Sequence, residues 1–313
     1  MIAYYHWIHL SSRAESFQVA YVLSPSLDLF DSPAEVHSVI SILKNGQKVQ
    51  ILNETGDWTK VRLDDGNQGW LPTKELIDSK TYEDGQKLLS QLTGQQAQAS
   101  GHAAGPVNLH LEPAREAPVL GMLMQGENLQ VFNRRLLEKA SPGSSETPVL
   151  PPSPHEAWYL VRAGSRAGWV LGRLITLDIP SAISQYAGNF NLVAWLTLNT
   201  VDDNGQKVPQ YLVADRVGSE GFDFTHIRVF TWWAKRHQYV TAYVESRLKG
   251  EFPIRTQDIN GVPYFRLRLL DDKGRKFQKV YGLFGTIVRP LGAVEGWEND
   301  SIPQRVHYGK RRR

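Results

Sequence analysis

LDLFDSPAEVHSVISILKNGQKVQILN, residues 27–53, returns later in the chain as VNLHLEPAREAPVLGMLMQGENLQVFN, residues 107–133. At a constant shift, Leu29 falls on Leu109, Pro33 on Pro113, Ala34 on Ala114 and Val39 on Val119. Leu43 likewise falls on Leu123, Gly46 on Gly126, Gln50 on Gln130 and Asn53 on Asn133. The segments that follow agree too: DWTKVRLDDGNQGWL (57–71) answers AWYLVRAGSRAGWVL (157–171). Two copies are too few for a solenoid, so the repeat reads as two small tandem domains.

Each copy has the pattern of a small β-barrel. Val49, Ile51, Trp58, Val61, Trp70 and Leu71 lie in short runs that alternate with polar residues, as half-buried strands do. Asp65-Gly66 between two such runs is a hairpin signal. Gly46 and Gly126, each just before a strand, fit turn positions where a Cβ would be strained.

The ordered set resembles the bacterial Src-homology-3-like (SH3) domains, whose pattern is an L-N-V-R-x-G-P-like start, a G-x-x-V strand, a W-x-K-V strand and a terminal G-W-V. Leu27, Asp28, Leu29, Pro33, Gly46, Val49, Trp58, Lys60, Val61, Gly69, Trp70 and Leu71 carry it in the first copy. Leu109, Pro113, Gly126, Leu129, Trp158, Val161, Gly168, Trp169 and Val170 carry it in the second. Phe30 and His110 stand where the family often has Arg, and Ser32 and Glu112 where it often has Gly, which weakens the transfer of any ligand site. The resemblance implies an extracytoplasmic protein that recognises peptide or cell-wall polymer.

The expected architecture is mainly β: two tandem SH3-like barrels followed by an antiparallel meander β-barrel or curled sheet. Residues 1–18 read as an aromatic arm, 19–78 as the first barrel, 79–105 as a Gln, Ala, Ser and Gly-rich linker, and 106–178 as the second barrel. The second barrel is interrupted by a Pro-rich insertion over 134–156, whose Pro148-Val149-Leu150-Pro151 has the P-x-x-P form. Residues 180–303 alternate strand-like runs with turn signals such as Asn260-Gly261 and Asp271-Asp272-Lys273-Gly274, and resemble no family. A basic tail fills 304–313.

Composition narrows the function. The chain is 41% apolar and 21% charged, an ordered globular balance. Its net charge of +3 is smaller than the contribution of Lys310, Arg311, Arg312 and Arg313, so the body is nearly neutral. A specific nucleic-acid-binding body, which needs a clustered basic surface, is not expected. The tail alone has the charge to touch an anionic surface. There is no cysteine, hence no disulfide, no thiolate metal ligand and no thiol nucleophile. The cysteine peptidases often joined to SH3-like repeats are thereby excluded. The opening MIAYYHWIHLSSRAESFQVAY lacks a basic n-region, and His6 and His9 break its apolar run, so it does not read as a signal peptide. A trimmed or misplaced start would reconcile this with export; a cytoplasmic chain is the alternative.

Two sets of residues are candidates for ligand binding. Trp58, Trp70, Trp158, Tyr159 and Trp169 are placed by the repeat to line clefts, with core packing as the competing role. In the third region, strand alternation puts Phe224, His226, Arg228 and Phe230 on one face, and Tyr239, Thr241, Tyr243 and Glu245 on another. If His226, Arg228, Tyr239, Tyr243 and Glu245 point inward, the barrel could hold a small ligand. No H-E-x-x-H, G-x-S-x-G, P-loop or G-x-G-x-x-G occurs, so no catalytic residue, metal site or cofactor is expected. Asp202-Asp203 and Asp271-Asp272 sit beside turn glycines, where Asx turns are the natural role. The leading reading is a non-enzymatic binding or scaffold protein of the cell envelope. The alternative makes the third region a small-ligand carrier or an unrecognised hydrolase, with the barrels as targeting modules.

Overall fold

The computed structural model describes residues 18–138, 155–187, 190–218 and 221–298. The aromatic residues of the N-terminal arm, the P-x-x-P segment and the basic tail fall outside them. The chain divides into two compact units, Met1–Glu83 and Asp84–Arg313.

In the first unit, β1 (Val19–Val22), β2 (Ser26–Phe30), β3 (Val39–Lys44), β4 (Lys48–Thr55), β5 (Trp58–Arg62), β6 (Gln68–Pro72) and β7 (Leu76–Asp78) form one antiparallel sheet. Its strand order is β3-β2-β6-β5-β4-β1-β7. Every second residue turns inward, so Val22, Leu29, Leu43, Val49, Val61 and Leu71 make a small apolar core. Gly46 stands at φ +77° in the turn between β3 and β4, as its position before a strand suggested. The glycine of the Gly-Trp motif answers to a different constraint. A Cβ on Gly69 would lie 2.6 Å from Leu29 Cγ and 2.7 Å from the Phe30 carbonyl oxygen, so only a bare backbone lets β6 close against β2.

The helix α1 (Ser79–Gln91) begins where Asp78 caps it. The Asp78 carboxylate accepts from the Thr81 backbone N–H at 2.9 Å and the Thr81 hydroxyl at 2.7 Å. These bonds hold its pKa below the usual value.

The second unit opens with a sheet of the same design. It contains β8 (Ala99–Ala103), β9 (Val107–His110), β10 (Val119–Leu123), β11 (Asn128–Glu138), β12 (His155–Ala163), β13 (Arg166–Leu171) and β14 (Ile175–Leu177). The order β10-β9-β13-β12-β11-β8-β14 repeats that of the first sheet strand for strand. Gly126 matches Gly46 at φ +78°. Stretch 79–105, read from composition as a linker, thus holds α1 and a barrel strand. Its small residues suit β8, where Ala99, Gly101 and Ala103 face inward and a Cβ on Gly101 would meet the Thr176 carbonyl at 2.4 Å.

After the short helix α2 (Ser181–Ala187) come two four-stranded meanders. The first is β15 (Asn191–Asp203), β16 (Gln206–Arg216), β17 (His226–Trp233) and β18 (Gln238–Glu245). The second is β19 (Gly250–Ile259), β20 (Val262–Leu270), β21 (Lys276–Phe284) and β22 (Ile287–Glu295). A dense core lies among them, with Phe224, Leu212, Phe265, Leu267 and Tyr281 buried. The Phe265 and Tyr281 rings stack with centroids 4.6 Å apart. The other face of the first meander joins the second barrel's core: Trp195, Tyr211, Phe230 and Tyr239 cluster with Leu109, Val161 and Val170. Gln98, fully buried, fastens this junction. Its amide donates to the Ile254 carbonyl at 3.0 Å and accepts from the Ile254 N–H at 2.8 Å. Its own carbonyl accepts from Trp195 N–H at 2.8 Å.

Candidate binding sites on the barrels and the C-terminal sheets

The two barrels present an aromatic pair at the same place. In the first, Phe30 ends β2 and Trp58 begins β5, with ring centroids 5.8 Å apart. The exposed His37 ring lies 4.0 Å from Phe30 and 6.3 Å from Trp58, filling the space beside them. Trp58 and Trp70 are half-buried on the outward face of β5 and β6.

In the second barrel, His110 takes the place of Phe30, and its ring meets Trp158 edge-on at 5.5 Å. His110 Nδ1 faces the Ala117 carbonyl at 3.1 Å. That oxygen can only accept, so Nδ1 carries the proton and the ring is fixed. Ala117 occupies the position of His37 and carries only a methyl group. A cleft of about 230 Å³ remains, with Asn108, His110, Arg115, Trp158, Arg173 and Leu174 among its lining. Arg115 is held by Glu156 at 2.5 Å, which raises its pKa further. Arg173 is exposed in the 3-10 turn Gly172–Leu174, with no hydrogen bond or ion pair among the described residues.

Trp158, Tyr159 and Trp169 are all buried, whereas Trp58 and Trp70, the counterparts of the two tryptophans, are half-buried. Trp158 and Trp169 pack with Phe132, Leu160 and Leu92, and with Leu88 and Leu89 of α1. Tyr159 lies in the main barrel core. Packing explains these three, although one edge of Trp158 still reaches the cleft.

The C-terminal candidates do not form one pocket. Between β17 and β18 the register slips: Val229 faces Tyr243, Phe230 faces Thr241, and Ala242 is left over. One extra residue turns the alternation over. Tyr239 therefore joins the core shared with the second barrel, where its hydroxyl donates to the Pro209 carbonyl at 2.8 Å. Tyr243 and Glu245 face the other way. Glu245 Oε2 accepts from Tyr243 at 2.8 Å and from Tyr281 at 2.7 Å, and Oε1 pairs with Lys279. Burial raises its proton affinity, but the bonds from Lys279, Tyr281 and Tyr243 outweigh it and hold the pKa low. His226 and Arg228 meet elsewhere, at the fully buried Asp215, which Arg228 pairs directly and His226 approaches at 3.9 Å. The Arg228 guanidinium lies 3.7 Å over the Phe190 ring. These groups bond to separate partners on the two meanders, Asp215 among them, and do not converge on one cavity.

Sequence reading missed a buried charged cluster. Arg134 and Asp223, each 4% exposed, pair at 3.4 Å, and Arg134 also donates to the Asp223 carbonyl at 3.1 Å. The carboxylate accepts from Phe252 N–H at 3.0 Å. Burial pushes Asp223 up to about 6, against those bonds. Glu251 is pushed up to about 7 by burial and then by the Asp223 charge. No local motif marks these residues, because the barrel strand β11 brings Arg134 to them from 89 positions away.

Two of the four turn carboxylates do what their glycines suggested, whereas Asp203 accepts from the Trp232 indole N–H at 2.9 Å and Asp272 pairs with Lys249 at 2.9 Å. Asp202 accepts from Gly205 N–H at 2.9 Å, and Asp271 from Lys273 and Arg275 N–H at 2.8 Å. Among the described residues, no three His, Asp or Glu side chains are grouped to hold a metal ion. None of the described helices is long and apolar enough to cross a membrane.

Residues 25–77 match the family model of the bacterial SH3 domain, so the chain carries one such domain, in its first barrel. The second barrel, of like strand order, lies outside the matched residues. No curated protein matches the chain. Among solved structures, an NlpC/P60 family protein from Bacillus cereus ATCC 10987 is 12% identical, over 73% of this chain and 94% of that one, with a TM-score of 0.24. NlpC1 from Trichomonas vaginalis is 10% identical over 76% and 95%, at 0.20. NlpC2 from the same organism is 10% identical over 74% and 98%, at 0.18. Scores this low define neither an active site nor a substrate for this chain.

Proposed function

We propose that this chain is a non-enzymatic binding protein of the bacterial cell envelope, whose two barrels recognise peptide or cell-wall material outside the cytoplasm. The observation that carries the reading is the bacterial SH3 domain at 25–77. The second barrel is a diverged second copy, as the repeated strand order and the equivalent aromatic pairs Phe30–Trp58 and His110–Trp158 support. Two modest sites on one chain gain from effective concentration when both engage. The absence of cysteine denies the chain a thiol nucleophile. The alternative, a C-terminal carrier or hydrolase served by targeting barrels, needs His226, Arg228, Tyr239, Tyr243 and Glu245 around one cavity, and they lie in three places. Trp58 and Trp70 remain the first barrel's candidate contacts. Retention of the full chain on purified cell wall, beside Trp58→Ala, tests the reading. Loss of retention by the folded variant supports it; equal retention removes Trp58 from the site, and no retention of either defeats the proposal.

A further inference from the structure

The barrels differ in charge at one equivalent place. Around the second cleft stand Asn108, Arg115, Arg173 and Leu174. At the same positions of the repeat the first barrel has Asp28, Glu35, Lys74 and Glu75. Three carboxylates and one cation have become two cations and no carboxylate. Glu75 is held in place by the Ser24 hydroxyl at 2.5 Å, so the first barrel keeps a fixed acid beside its lysine. In the second barrel a leucine takes that position, and Arg173 lines the cleft beside it. Glu156 occupies Arg115, whereas Arg173 has no partner among the described residues.

We propose that the second-barrel cleft binds the carboxylate end of a short peptide whose last side chain is apolar. The proposal rests on the reading of the barrels as recognition modules and narrows it. The Arg173 guanidinium, planar and permanently charged, suits bidentate contact with a carboxylate. Pro106 and Leu174 supply apolar surface for the adjoining side chain, and Asn108 can bond one peptide group. The volume, about 230 Å³, is below the roughly 300–1,000 Å³ of drug-sized ligand pockets, so it suits a chain terminus and not a long segment. Capture of a terminal carboxylate is an established mode of peptide recognition. The same chemistry occurs at a protein C-terminus and in a wall peptide, so the test treats them separately.

Calorimetric titration of the full chain with a tripeptide ending in Leu, as free acid and as C-terminal amide, decides the matter. The acid should bind about tenfold more tightly than the amide, the loss expected for one charge-assisted contact. Arg173→Gln, at an exposed position, should remove that difference, and Lys74→Gln should leave it intact. Equal binding of acid and amide, no binding of either, or an unaltered preference in Arg173→Gln would overturn the inference. A parallel arm measures retention on purified wall before and after amidation of its free carboxyls. A fall in wild-type retention on amidation names wall peptide as one source; unchanged retention beside an intact acid preference points to protein C-termini. Wall retention with no acid preference sinks this inference alone, while loss of both sinks the broader reading with it.

Discussion

The imidazole of His110 stands edge-on to the Trp158 indole, ring planes at 88°, where Phe30 meets Trp58 at 75° in the other barrel. The same contact is built twice, yet the two indoles have different surroundings. Trp158 is almost wholly buried in a cluster that Leu88 and Leu89 of α1 pack against, and Trp58 is half-exposed. Trp158→Ala should therefore cost about 3–5 kcal/mol of unfolding free energy. Trp58→Ala should cost about 1–2 kcal/mol, in proportion to the smaller area it takes from water. Chemical denaturation of each variant checks the asymmetry; equal losses would contradict it.

Close approach at the Gly-Trp motif gives a second expectation. An added methyl on Gly69 or Gly168 would press into Leu29 or Leu109 and the next carbonyl. Gly69→Ala and Gly168→Ala should each destabilise by about 1–3 kcal/mol. Gly105→Ala, with nothing within 4 Å of the new methyl, serves as the neutral control. Thermal melts of the three variants would show the contrast.

Glu251 makes stability depend on pH. A carboxyl whose folded pKa exceeds its unfolded value holds its proton more tightly in the native state. Its contribution is full below the unfolded value of 4.5 and is lost as pH rises through about 7. Glu251→Gln should therefore be more favourable relative to wild type at pH 8 than at pH 4, by on the order of 2 kcal/mol after screening. Denaturant unfolding at both pH values measures it; a difference of the opposite sign would refute the assignment. Asp223, raised to about 6, adds a slope of the same sign over a lower range.

Gln98 ties the second barrel to the C-terminal sheets, and Gln98→Ala would strand the N–H and carbonyl of Ile254. The expected cost is about 2–3 kcal/mol, with loss of hydrogen-exchange protection at Ile254. Unchanged protection there would argue against the junction.

Much of this architecture could be read in the residues. Val49, Val61 and Leu71 face inward as alternation requires, and the repeated Gly-Trp pairs fall on equivalent strands. Three things were illegible for physical reasons. α1 covers the Trp158 face through Leu88 and Leu89, but its sequence shows an apolar helical turn only near its end. β8, Ala-Ser-Gly-His-Ala, has no strand propensity and exists because β11 and β14 flank it. The bulge at Ala242 turned over the alternation that grouped Tyr239 with Tyr243 and Glu245. The second cleft was within reach: the alignment of the copies, with its separate shifts before and after the insertion, sets Arg115 on Glu35 and Arg173 on Lys74.

The most direct test is co-sedimentation of the full chain with purified cell wall, reading both the protein in the pellet and the peptides released to solution. The chain should pellet with the wall and the supernatant should contain no new fragments, with Trp58→Ala and Arg173→Gln together returning the protein to solution. Release of wall fragments over time, or failure of the wild-type chain to pellet, would contradict a protein that binds without reacting.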